Sequence, residues 1–161
     1  MADPHEQKRI TRDHYARKTD VNARLFTVLD WAAEDRDMTL MPHLSRAVRR
    51  GDILELAATD EADIQPGGTV QRIAYLGFAE VLEAGLLLSG DSVTTGREAL
   101  GSVVGFDETH MPNHLNVILK VETQKTGREV DLTLDALVTF AGVEEENSRR
   151  IGFRANPNTS S

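Results

Sequence analysis

Apolar and polar residues alternate in at least four separate stretches of this chain, and beyond the first twenty residues no stretch repeats its apolar residues at the 3.6-residue period of an amphipathic helix. Leu115, Val117, Leu119 and Val121 alternate with His114, Asn116, Ile118 and Lys120. Val130, Leu132, Leu134, Ala136, Val138 and Phe140 alternate with Glu129, Asp131, Thr133, Asp135 and Thr139, the cleanest half-buried pattern in the chain. Such stretches bury one side of a pleated strand. Turn signals punctuate them at short, fairly even spacing: Gly51-Asp52, Pro66-Gly67-Gly68, Gly90-Asp91, Gly96 and Thr126-Gly127. Together they predict an all-β fold, a small closed or partly open antiparallel barrel with a covering N-terminal segment, any helix being confined to the N-terminal region. No internal repeat stands out, since the two Gly-Asp turns are too short to establish one.

Residues 1–20 read as a flexible polar arm, 21–142 as a single β-barrel domain and 143–161 as a polar tail. Residues 24–33 form a first strand, apolar on both faces. Residues 38–44 form a short extended piece that Pro42 assigns to an edge, with His43 exposed. Residues 70–81 are apolar on both faces, so this strand is expected to be covered on both sides and to contribute to a layer or subunit interface. Leu100, Ser102, Val104 and Phe106 fall on one face of a further strand, and Gly101, Val103, Gly105 and Asp107 on the other.

At 161 residues and 40% hydrophobic content the chain can bury a real core. It has no cysteine, which excludes disulfides, thiolate metal sites, iron–sulfur clusters and a cysteine nucleophile. The first eighteen residues contain no apolar run that could act as a signal peptide, and no stretch has the apolar length of a membrane span, so a cytoplasmic location without membrane association is expected. A net charge of -8 argues against nucleic acid as a partner. Arg46, Arg49 and Arg50, followed by Asp52, Glu55, Asp60, Glu61 and Asp63, read either as mixed surface charge or as a basic edge that faces an anion.

The chemistry is concentrated between two strands, where a hairpin usually carries Asn-Gly or Asp-Gly. Here stand Asp107, Glu108, Thr109, His110, Met111, Pro112 and Asn113, followed by His114. Three readings compete. His110 and His114 could join Asp107 or Glu108 around a metal, although Pro112 removes the helical geometry that favours two histidines four apart. One histidine could exchange a proton while Asp107 orients it and Asn113 or Asn116 donates to a developing oxyanion. Alternatively, all of these residues shape the turn. If Leu115, Val117 and Leu119 fill the barrel, His114 and Asn116 point outward. A site there needs a cover, supplied by the N-terminal segment or, since that arm is so polar, by a second subunit.

The block from Ile73 to Phe140, with Gly105-Phe106-Asp107, His110, Pro112-Asn113-His114 and Asn116, resembles an uncharacterised family of small bacterial proteins carrying a similar signature. It is also distantly similar in strand order to the glucitol-specific IIA component of the sugar phosphotransferase system. That likeness implies a small β-barrel but no phosphoryl transfer, because the strand that would carry the phosphorylated histidine reads Ile-Ala-Tyr-Leu-Gly-Phe-Ala-Glu-Val. The expectation is a homodimeric, cofactor-independent enzyme without a bound metal. It would act by proton transfer on a small polar or carbonyl-bearing metabolite, as an isomerase, lyase or cyclase, with His110, His114, Asp107, Glu108, Asn113 and Asn116 as its site. The alternative is a non-catalytic module that binds a small ligand or a protein on the same surface.

Overall fold

A computed structural model describes residues 17–143 of the chain. The expected N-terminal helix and most of the arm, residues 1–16, and the polar tail, residues 144–161, lie outside the described residues. Among those described there is no helix, hence none long and apolar enough to cross a membrane. The elements are β1 (Val21–Ala33), β2 (Met38–Thr39), β3 (Ser45–Val48), β4 (Ile53–Thr59), β5 (Thr69–Val70), β6 (Ile73–Val81), β7 (Gly85–Leu88), β8 (Ser92–Thr95), β9 (Glu98–Asp107), β10 (Leu115–Lys120) and β11 (Leu137–Ala141). Seven of them close a barrel in the order β1-β11-β8-β9-β10-β4-β6, and β2-β5 and β3-β7 form two small ribbons outside it.

The barrel is closed, as the alternation predicts, but it is not wholly antiparallel. β10 lies parallel to β4, with Leu115 opposite Leu54 and Leu119 opposite Ala58. A parallel neighbour needs a long crossover, and the excursion through β5–β9 supplies it. The interior is apolar: Leu25, Leu54, Leu56, Ala79, Phe106, Val117, Leu119, Val138 and Phe140 are all fully buried in one cluster. Each such leucine or phenylalanine contributes about 2 kcal/mol relative to an exposed position.

Bulges alter the faces read from simple alternation. Opposite Ile118 and Leu119 the register of β9 passes from Gly105 to Val103, so Val104 is an extra residue. Val103 and Phe106, three apart, therefore both enter the interior, while Val104 turns outward. Leu76 is the extra residue of β6, so Leu76, Ala79 and Val81 face inward and Ile73 and Tyr75 outward. As expected, β6 is nearly all buried on both faces. The first strand is less so: Val21, Ala23 and Leu25 are interior, but Phe26 is 40% and Trp31 56% exposed.

The pattern at 130–140 also fails as a single strand. Only Leu137–Ala141 is strand, and the residues before it form successive turns, with Asp131 and Asp135 at φ 58° and 68°. The reason is Gly127, whose N–H donates to the Tyr75 carbonyl at 3.0 Å. A Cβ there would stand 1.9 Å from the Leu76 carbonyl oxygen, so the chain crosses the barrel end with no room for a side chain. Val130 and Leu132 then pack against the core from that end. Val48 and Leu87, from the β3-β7 ribbon, join the core from elsewhere.

The two Gly-Asp turns repeat each other bond for bond, a duplication the sequence does not disclose. Arg49 N–H donates to Asp52 Oδ2 and Leu88 N–H to Asp91 Oδ2, each at 2.9 Å. Gly51 donates to the Val81 carbonyl and Gly90 to that of Val103, at φ 88° and 97°. Glycine meets such angles at no steric cost. Asp91 is buried and pairs with Lys18 at 3.1 Å, which fixes the chain just before β1.

A cover lies over part of the outer face, and among the described residues it comes from residues 38–41 and 70, not from the expected N-terminal segment or second subunit. Met38, Leu40 and Val70 pack on Ala57, Ile73, Tyr75, Val104 and Ile118 as a second apolar cluster. Leu40 lies over Gly105, and Met41 N–H bonds the Phe106 carbonyl at 2.8 Å.

Candidate functional site

Because Leu54, Leu56, Leu115 and Val117 face inward, the residues between them face outward, and pairing register aligns them across four strands. Asp107 lies opposite Asn116, Asn116 beside Glu55, and Glu55 opposite Phe78. Three polar groups thus stand in one row at the margin of the apolar cover, closed over by residues 108–114. That loop is held by its own turn bonds, Met111 N–H to the Glu108 carbonyl and Asn113 N–H to that of His110.

Asp107 is 5% exposed and fully engaged. One oxygen accepts from Thr109 Oγ1 at 2.5 Å, the other from Asn116 Nδ2 at 2.7 Å. It makes no hydrogen bond to a histidine, contrary to the expected orienting role. Asn116, equally buried, directs its amide to Asp107, so the predicted oxyanion donor is already committed, and its carbonyl oxygen has no partner. Glu108 lies at the surface in an ion pair with Arg46 at 2.7 Å. Arg49 and Arg50 are exposed, as is His43.

The two histidine rings stack, with centroids 4.9 Å apart at 24°. Their in-plane lone pairs therefore run side by side and do not converge on one ion. Among the described residues no three His, Asp or Glu side chains form a metal-binding group. Asn113 Nδ2 stands 2.9 Å from His114 Nδ1. With the amide donating, Nδ1 accepts and Nε2 carries the hydrogen. That Nε2 is buried without a hydrogen-bond partner and lies 3.8 Å from Glu55 Oε2.

Glu55 is the group sequence reading missed, taken there for surface charge; its side chain is only 13% exposed and that of His114 10%. Burial pushes the Glu55 carboxyl above its usual range, Asp107 adds to the rise, and His110 and Arg36 oppose it. Burial and then His110 hold His114 below its usual value, while Asn116 and Asp107 pull it back. Burial disfavours the charged form of each group, which weakens the 3.8 Å contact as an ion pair. The available signal was a lone carboxylate between Leu54 and Leu56.

Arg36 and Tyr75 were also missed. Arg36 Nε donates to the Tyr75 hydroxyl at 2.7 Å, and this bond is the chief cause of its raised pKa. Trp31 stacks on Tyr75 at 4.8 Å, and the Phe78 ring meets His114 edge-on at 5.2 Å. At the edge of the cover lies a cleft of about 280 Å³ lined by Arg36, Asp37, Met38, Thr39, Asp107 and Thr109. A larger cavity of about 930 Å³ lies elsewhere, at the barrel mouth, and no predicted site residue lines it.

A family model described as "Family of unknown function (DUF6917)" matches residues 15–141. The chain belongs to this family. The match spans the barrel, the cover and the 108–114 loop. No curated protein and no solved structure matches the chain.

Proposed function

We propose that the protein is a proton-transfer enzyme of isomerase, lyase or cyclase type, acting on a small carbonyl-bearing metabolite, with Glu55 and His114 as its working pair. The observation that carries this reading is their contact: a carboxyl pushed up and an imidazole pushed down, side by side, with His114 Nε2 unpaired. Opposite shifts bring two titrations together, and proton exchange is most efficient when acid and base are so matched. Glu55 takes the proton from the carbon next to the substrate carbonyl. His114 donates its Nε2–H to the carbonyl oxygen as negative charge gathers there, and being neutral it does so without handing over the proton. Asp107 fixes Asn116 and the start of the loop, and Asn113 fixes the tautomer of His114.

The test is deuterium exchange. Small ketones, aldehydes and keto acids are incubated with the protein in D₂O and their α-protons followed by NMR. The wild type is expected to catalyse exchange in at least one of them, and Glu55→Gln to lower the rate by about 100-fold or more. His114→Gln is expected to lower it too. A non-catalytic binding module gives the other result: compounds bind, none exchanges, and the variants lose only affinity.

A further inference from the structure

The cleft beside this pair has a chemical preference of its own. Arg36 is held at both ends of its residue: its backbone N–H donates to the Gln71 carbonyl at 2.9 Å, and Nε donates to Tyr75 Oη. Asp107 and Glu55 both act on its charge, yet among the described residues neither approaches closely enough to form an ion pair with it. Arg36 lines the cleft with Thr39 and Thr109 and with the carboxylates of Asp37 and Asp107, and among the described residues its two terminal nitrogens have no hydrogen-bond partner. A guanidinium anchored through Nε and open at its other nitrogens is a fork matched to a carboxylate. Behind Asp107, and outside the lining of the cleft, lie the buried atoms Asn116 Oδ1 and His114 Nε2.

We infer that the substrate is a small organic anion whose carboxylate sits on Arg36, with its carbonyl directed toward His114. This rests on the proton-transfer reading for the carbonyl, but not for the carboxylate. A cleft of about 280 Å³ matches a compound of a few carbon atoms. The anion also has an electrostatic consequence. The charged and titratable groups acting on Glu55 are Arg36 from the segment after β1, Asp107 from β9, and His110 and His114 from the loop into β10. A negative ligand on Arg36 cancels the cation that opposes protonation of Glu55. Binding is therefore coupled to proton uptake and tightens as pH falls.

The test compares acetate, pyruvate, malonate and succinate with their neutral amides by calorimetry on the full chain. Trp31, the one tryptophan, serves as a fluorescence reporter through its stack on Tyr75. At least one carboxylate is expected to bind about 10-fold or more tightly than its amide, and Arg36→Gln to remove that difference with the thermal midpoint unchanged. Arg36→Lys restores it in part. Proton uptake, read from the buffer dependence of the heat, is expected in the wild type and absent in Glu55→Gln. Equal binding of amides, full affinity in Arg36→Gln, or no carboxylate binding up to about 50 mM overturns the inference. Carboxylate binding without deuterium exchange keeps it and overturns the proton-transfer reading. Exchange in neutral carbonyl compounds without carboxylate binding does the reverse.

Discussion

The mouth of the barrel and the cleft beneath its cover lie at opposite ends of β9 and differ in what lines them. At the mouth, Lys120 donates to the carbonyls of Asp60 and Glu61, and Asp60 pairs with Arg72 at 3.3 Å. Its floor is Ala58, Leu76, Leu100 and Val130, a continuation of the core. The cleft is less than a third as large; Arg36, Asp37, Thr39, Asp107 and Thr109 line it, and behind Asp107 stand the buried Asn116 Oδ1 and His114 Nε2, neither with a hydrogen-bond partner. Volume marks where the barrel is closed off. Polar atoms without a hydrogen-bond partner stand at both places, Asp60 Oδ1 at the mouth and Asn116 Oδ1 and His114 Nε2 behind the cleft, so what separates the two is the apolar floor of one and the guanidinium of the other.

The largest effect is expected at the mouth. Gly127→Ala forces a methyl to within 1.9 Å of the Leu76 carbonyl oxygen, a backbone atom that cannot swing aside. Stability should fall by more than about 3 kcal/mol, read as the midpoint of urea unfolding. A wild-type midpoint would mean that the 121–136 loop does not close the barrel. Next comes Asp107→Ala at the cleft, which strips acceptors from the buried Asn116 amide and the Thr109 hydroxyl. A loss of about 2–3 kcal/mol is expected, with the barrel still folded by circular dichroism. An unchanged midpoint would show that the polar row is dispensable to the fold.

The smallest effect is on the pH dependence of stability, and its two halves have opposite sign. Glu55 has a folded pKa raised above the ordinary 4.5, so the native state holds a proton longer than the unfolded chain, and stability falls as pH rises from 4.5 toward the raised value. His114 has a folded pKa lowered below 6.5, so stability rises with pH from the lowered value to 6.5. Glu55→Gln should therefore gain on the wild type as pH rises above 4.5, and His114→Gln as pH falls below 6.5. Unfolding curves across this range check both signs, and parallel curves would remove the pair from the argument.

The barrel was legible in the sequence because alternation is local: Leu115, Val117 and Leu119 announce their face without reference to any partner. The bulges at Val104 and Leu76 were not, because an extra residue is defined only against the strand opposite. For the same reason the alternation of residues 130–136 misled, since its fate depends on a carbonyl above Gly127. The loop carrying His110, Asn113 and His114 stood out by composition. Glu55 and Arg36 did not, for what distinguishes Glu55 is its burial and what distinguishes Arg36 is its bond to Tyr75, both set by segments distant in the chain. The register that brings Glu55 beside Asn116 is a long-range fact.

That register has a kinetic meaning. Glu55 belongs to β4 and His114 leads into β10, and these strands meet in the parallel pairing of the barrel. A parallel neighbour requires a long loop to be closed before its contacts repay the lost chain entropy, which makes such pairings slow to form. The two halves of the acid–base pair are thus carried on opposite sides of the seam, and no hairpin of the molecule contains both. During refolding, β-structure formed in the separate hairpins gives no imidazole–carboxyl contact; the contact arises in the same event that joins the strands.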